Sequence, residues 1–122
     1  MDKDVSEFLQ GSFRSVWSLE LLLVLQGQPD RAWTPQELIA ELRSSEAVVR
    51  QGIGDLLAAG MIVTEGDGQV RYGPASATLR DLMPRVIKAY QVESSNVRRL
   101  IVHRPSEKLR NFSDAFKISG KD

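Results

Sequence analysis

Residues 34–73 place two short helical patterns, a polar break and two strand-like runs in immediate succession, and few small folds accommodate that order. Thr34-Pro35-Gln36-Glu37 opens the stretch as a capping box. Its Thr hydroxyl can accept from the amide three residues on, Pro sits where a missing N–H costs nothing, and Glu37 reaches back. Leu38, Ile39 and Leu42 then form an apolar stripe on a short helix. Arg43-Ser44-Ser45 is a polar break with a serine as N-cap, and a second helix is expected over 46–59, burying Val49, Ile53, Leu56 and Leu57. Gly60 supplies a left-handed stop. Met61-Ile62-Val63-Thr64 and Val70-Arg71-Tyr72 are rich in strand formers, and Gly66-Asp67-Gly68 between them is hairpin-turn chemistry.

The run Leu56-Leu57-Ala58-Ala59-Gly60-Met61-Ile62 is similar to the signature that closes the recognition helix of winged helix-turn-helix proteins. With the helix, turn, helix and hairpin around it, the stretch resembles the DNA-binding domain of MarR- and PadR-type bacterial transcription regulators. The resemblance implies a mainly α fold with a small β-hairpin. A winged helix-turn-helix domain would occupy residues 1–75 and a C-terminal helical extension, expected to dimerise, residues 76–122. It further implies a recognition helix at about 45–59 lying in the major groove, with a short wing at 61–73 near phosphate or the minor groove. The outward positions of that helix would be Ser45, Glu46, Ala47, Val48, Arg50, Gln51 and Asp55. Arg50 is suited to guanine and Gln51 to adenine. Ser44 or Ser45 can donate to phosphate, and Gln69 and Arg71 are the wing candidates.

The rest of the chain reads as support. Val5, Phe8 and Leu9 mark a turn or two of helix that Gly11 interrupts, and Ser12 is a candidate cap for a longer helix running to about Gln26. That second pattern, from Phe13 through Val16, Trp17, Leu21 and Leu25, is apolar almost all round and is expected at the centre of the core. Ala32-Trp33 is expected to make a short extended piece pairing with the hairpin, its indole packed rather than offered to a ligand. Beyond Gly73-Pro74, Ser76 or Thr78 can cap a helix carrying Leu79, Leu82, Met83, Val86, Ile87 and Tyr90, which begins or kinks at Pro84. Ser94 or Ser95 can cap a further segment, Val97 to His103. Pro105-Ser106-Glu107 opens a last pattern in which Leu109, Phe112 and Phe116 share a face. These faces must pack somewhere, either on the preceding domain or on a second copy, and a homodimer through residues 76–122 is the expected solution.

Charge is balanced over the whole chain but not along it. Up to Gly60 there are five bases against nine acids, a net of −4, and the remainder carries +4. The expected reading head is thus the acidic half, which argues against tight electrostatic binding to duplex. That asymmetry motivates an alternative: a winged-helix module that holds another protein and does not bind DNA. A third possibility, compatible with the first, is a small-molecule pocket lined by Tyr90 and Trp17 between the C-terminal helices and the core, although core packing is the expected role of both side chains.

Catalysis finds no support. The single histidine, His103, has no acidic neighbour in sequence, and no Gly-rich phosphate loop follows a strand. The acidic pairs Asp2/Asp4 and Glu37/Glu41 read as solvated charge. The absence of cysteine removes disulfide frameworks, thiol chemistry and Cys-based zinc sites, so neither metal nor cofactor is expected. An acidic, polar start and the shortness of the apolar run Leu21–Leu25 argue against a signal peptide or a membrane span, and a cytoplasmic site is the expectation.

Overall fold

The computed structural model of the chain describes residues 1–102, so the expected positions of His103 and of the segment opened by Pro105 lie outside the described residues. In order, the elements are α1 (Lys3–Ser12), α2 (Val16–Gly27), α3 (Pro35–Leu42), α4 (Glu46–Ala58), β1 (Ile62–Thr64), β2 (Val70–Tyr72), α5 (Ala77–Val92) and α6 (Ser94–Val102). The molecule is mainly helical with one small antiparallel sheet, Ile62 opposite Tyr72 and Thr64 opposite Val70. Trp33 adds a single bridge to that sheet, its N–H donating to the Val70 carbonyl at 2.8 Å and its carbonyl accepting from Val70 N–H at 2.9 Å.

Local chemistry places most of these boundaries. The capping box at Thr34 forms on both sides: Glu37 N–H donates to Thr34 Oγ1 at 3.1 Å, and Thr34 N–H donates to Glu37 Oε1 at 2.8 Å. Ser45 caps α4, accepting from Val48 N–H at 3.2 Å, and Ser76 caps α5 in the same way through Leu79 N–H at 3.2 Å. Gly60 ends α4 at φ +75°, with space for an added Cβ only 3.3 Å from the Ala75 side chain. The turn between α3 and α4 is closed by Arg43 at φ 52°, while Ser44 N–H donates back to the Ile39 carbonyl at 3.2 Å.

Four boundaries and faces differ from the sequence reading. Helix α1 runs through Gly11 and takes in Ser12, so Ser12 does not cap α2; Ser15 occupies the N-cap position, without a side-chain capping bond. Phe13 is responsible. It is extended, fully buried, and stacked edge-on to Phe8 with centroids 5.5 Å apart, forming a corner across which α1 and α2 turn by 109°. Trp17 is not in the core but 43% exposed, because α2 buries Ser18, Leu19, Leu21, Leu22 and Leu25 and leaves its Trp17 side open. On α4 the buried stripe is Val49, Gly52 and Leu56, while Leu57 is 39% exposed, one residue and about 100° of helix rotation past Leu56. Finally, α5 begins at Ala77 and continues through Pro84, and Glu93, not a serine, precedes α6, its carbonyl accepting from Val97 N–H at 3.0 Å.

Packing joins these elements in one core. α2 lies between α4 on one side and α3 and β2 on others, and Gly52 of α4 sits against it, where a Cβ would fall 2.9 Å from Leu21 Cδ2. α5 and α6 fold back onto α1: Leu82, Met83, Val86, Val97 and Ile101 are buried in the same cluster as Val5, Phe8 and Leu9. An ion pair between Arg85 and Asp2 tethers the start of α1 to α5. The apolar faces of α5 and α6, which in sequence needed a cover, are therefore covered within the chain. Among the described residues no single helix is long and apolar enough to cross a membrane.

Candidate nucleic-acid interface

The face opposite the α2 contact is where α4 meets solvent. Its first turn is set by Ser45, whose oxygen is used in capping and whose hydroxyl proton stays free to donate. From there Ala47, Arg50, Gln51, Gly54 and Ala58 are exposed along one side of the helix. None of α5 or α6 is among the elements packed substantially on α4. Ser44 and Val48 are half-buried at the edge of this surface. Of the eight expected contact residues, Ser45 at the N-cap and Ala47, Arg50 and Gln51 on α4 are thus exposed, with Ser44 and Val48 flanking them. Gln69 and Arg71 are half-buried on or beside β2 of the hairpin that follows α4.

The charges on this surface are largely matched. Arg50 Nε lies 3.9 Å from Glu46 Oε1 one turn back, with both side chains about 60% exposed (59% and 61%). A pair that open to water holds its partners by at most about 1 kcal/mol, so Arg50 is free to exchange Glu46 for another acceptor. Arg71 is held harder: its Nε donates to Glu65 Oε1 at 2.6 Å and its Nη1 to the Tyr72 carbonyl at 3.4 Å. Glu65 and Asp67 leave the hairpin tip acidic, with Asp67 in left-handed backbone at φ 62°. At the opening of α3, Arg31 bonds Glu37 at 3.2 Å and stacks over the Trp33 ring at 3.5 Å. The Thr34 N–H, more than that cation, holds the Glu37 carboxyl below the usual carboxylate range.

Asp55 is a correction to the expected outward set. Its carboxylate turns inward to the corner before α2, where Oδ2 accepts from the buried Ser18 hydroxyl at 2.7 Å and from Arg14 N–H at 3.3 Å, with Arg14 Nε 3.7 Å from Oδ1. Only 8% of the side chain is exposed. It therefore fixes the roll of α4 on α2 rather than repelling anything at the outer face. Gly54 and Ala58, which helical spacing from Ala47 and Gln51 would have brought out, are the positions the sequence reading left unassigned. An added Cβ at Gly54 meets nothing within 4 Å.

Comparison with protein-family models, curated proteins and solved structures found no match for this chain.

Proposed function

We propose that the chain is a winged helix-turn-helix domain whose α4 docks in the major groove of duplex DNA, with the β1–β2 hairpin as its wing. Three features support the architecture: the element order, the capped turn between α3 and α4, and the Trp33 bridge that adds a third extended piece to the hairpin. The observation that carries the function is the bare outer side of α4. It is a row of small neutral residues, Ala47, Gly54 and Ala58, around Arg50 and Gln51, exposed along the helix and flanked at Gln51, Gly54 and Ala58 by the end of α1 (Gly11, Ser12) and by Arg14. Small side chains let a helix sit deep in the groove, and Arg50 and Gln51 carry the donors that read guanine and adenine. α1 covers the apolar faces of α5 and α6 on which the homodimer expectation partly rested, and the remaining face, Leu109, Phe112 and Phe116, lies outside the described residues.

Between residues 43 and 73 the bases are Arg43, Arg50 and Arg71 alone. Neutralising about three phosphates gives a slope of about −3 for log K against log salt concentration, shallow for a DNA-binding domain. The test is fluorescence anisotropy on a randomised duplex library at low salt, followed by selection. A recovered site should bind with that slope, and Arg50→Ala should cost about 1–3 kcal/mol at one base pair. No binding at low salt ends this reading.

A second reading, a protein-docking surface at the same place, is favoured by one observation: Glu65 and Asp67 at the hairpin tip together with the Glu46 and Glu65 partners of both arginines. The double variant E65Q/D67N separates the two. It raises duplex affinity if the hairpin approaches phosphate, and weakens complex formation if the acidic tip meets a basic protein.

A further inference from the structure

We propose that residues 105–116 of the same chain dock in the cleft beside Trp17, on the side of α2 away from α4. The cleft, about 610 Å³, is lined by Val16, Trp17, Glu20, Val24 and Leu42, with Arg98 of α6 at its rim and Glu41 beside Leu42. Its floor is apolar, and a tryptophan 43% exposed is a large area to leave in water. Glu20 is held in place by Tyr90, whose hydroxyl donates to Oε1 at 2.7 Å, and Arg98 closes that corner at 3.3 Å from the same hydroxyl. The cleft is thus shaped by fixed side chains and keeps an acidic margin of Glu20 and Glu41.

The position of the chain's exit singles out the occupant. Val102 is four residues after Arg98 on α6, hence on the same side of that helix, and it is 65% exposed. The 20 residues beyond it begin about one helical turn from the cleft rim. Leu109 is seven residues past Val102, a reach of up to about 24 Å, so a span much longer than the cleft requires is available. The segment carries Leu109, Phe112 and Phe116 at spacings of three and four, the sequence pattern of an amphipathic segment, and so brings two aromatic rings and an isobutyl group. Lys108, Arg110 and Lys117 lie beside these residues in sequence, and residues 103–122 have five bases against three acids, opposite in sign to the net −2 of residues 1–102. A tether this short gives the chain's own tail an effective concentration in the millimolar range, which a second copy or another protein does not reach at ordinary protein concentration. The inference is independent of what α4 binds.

The absence of cysteine allows a direct test in the full-length chain. A nitroxide attached to Asp114→Cys is combined with nitrogen-15 labelling, and the two indole N–H peaks are assigned by Trp17→Phe. The Trp17 peak is expected to be lost in the oxidised sample, with Trp33 less affected, and to return in the same labelled chain carrying F112S/F116S. The Trp33 peak, from a side chain buried against the hairpin, reports whether each variant is folded. If the serine variant fails that check, the loss or survival of the Trp17 peak in the singly substituted chain decides alone. Survival of the Trp17 peak overturns the proposal. So does a loss that also arises when spin-labelled, unenriched chain is mixed with enriched chain lacking the label, since the occupant would then be a second copy.

Discussion

Two glycines two residues apart in α4 have opposite reasons to be there. In helix interiors each costs about 1 kcal/mol relative to alanine. At Gly54 a Cβ meets nothing, so Gly54→Ala is expected to raise stability by about 1 kcal/mol. At Gly52 the Cβ would fall 2.9 Å from the end of Leu21, itself 1% exposed and closely packed. Overpacking of that kind costs about 1–3 kcal/mol, which cancels or exceeds the gain in propensity. Urea unfolding should therefore rank Gly54→Ala above the parent chain and Gly52→Ala level with it or below. Equal stabilisation by both would mean that α4 stands farther from α2 than the structure has it. Asp55 belongs to the same contact. A charge at that position in sequence suggests solvent, and only the Ser18 and Arg14 groups waiting across the interface turn it inward.

At the scale of elements, caps and breakers behave differently from one another. The capping box at α3 links stability to pH. Because hydrogen bonding holds the Glu37 carboxyl below its usual 4.5, its stabilisation is complete above that value and is lost as pH falls through the lowered folded value. Glu37→Gln keeps an oxygen to accept from Thr34 but carries no titrating charge. Melting temperatures of the two chains should differ near neutral pH and converge in acid, with the parent losing the advantage. Pro84 is the contrary case, a residue that ought to break the helix it occupies. It lies on the exposed side of α5, and the carbonyl left without its donor belongs to Arg80, also exposed, where water substitutes. Pro84→Ala restores that bond and should stabilise the chain by about 1–3 kcal/mol in thermal or urea melts, the lower end reflecting the freedom proline removes from the unfolded chain. A destabilised variant would show that the proline ring packs on something.

For the molecule as a whole, the consequential fact is that α5 and α6 share the core of α1–α4. Residues 1–75 and 76–102 bury Leu9, Phe8 and Val5 against Val86, Val97 and Ile101 in one cluster. Unfolding is then expected as a single transition. Val97→Ala, at a site 0% exposed on α6, should cost about 2 kcal/mol and lower the helical signal and the Trp33 fluorescence midpoint together. Separate midpoints would restore two units. The sequence by itself determined what local interactions govern: the box at Thr34, the cap at Ser45, the stop at Gly60, the hairpin between Ile62 and Tyr72, and the pairing of Trp33 with it. Each depends on hydrogen bonds or backbone preferences spanning a few residues, or on a strand pattern with one way to close. Only the tertiary structure decided which sides of α2 and α4 are buried, where Trp17 and Asp55 point, that Phe13 is a corner and not a helix start, and that the C-terminal helices cover α1. Apart from the Phe8–Phe13 contact, those outcomes turn on contacts between residues distant in sequence, such as Ser18 with Asp55 and Asp2 with Arg85, where an apolar or charged side chain has several equivalent destinations until the partner surface is in place.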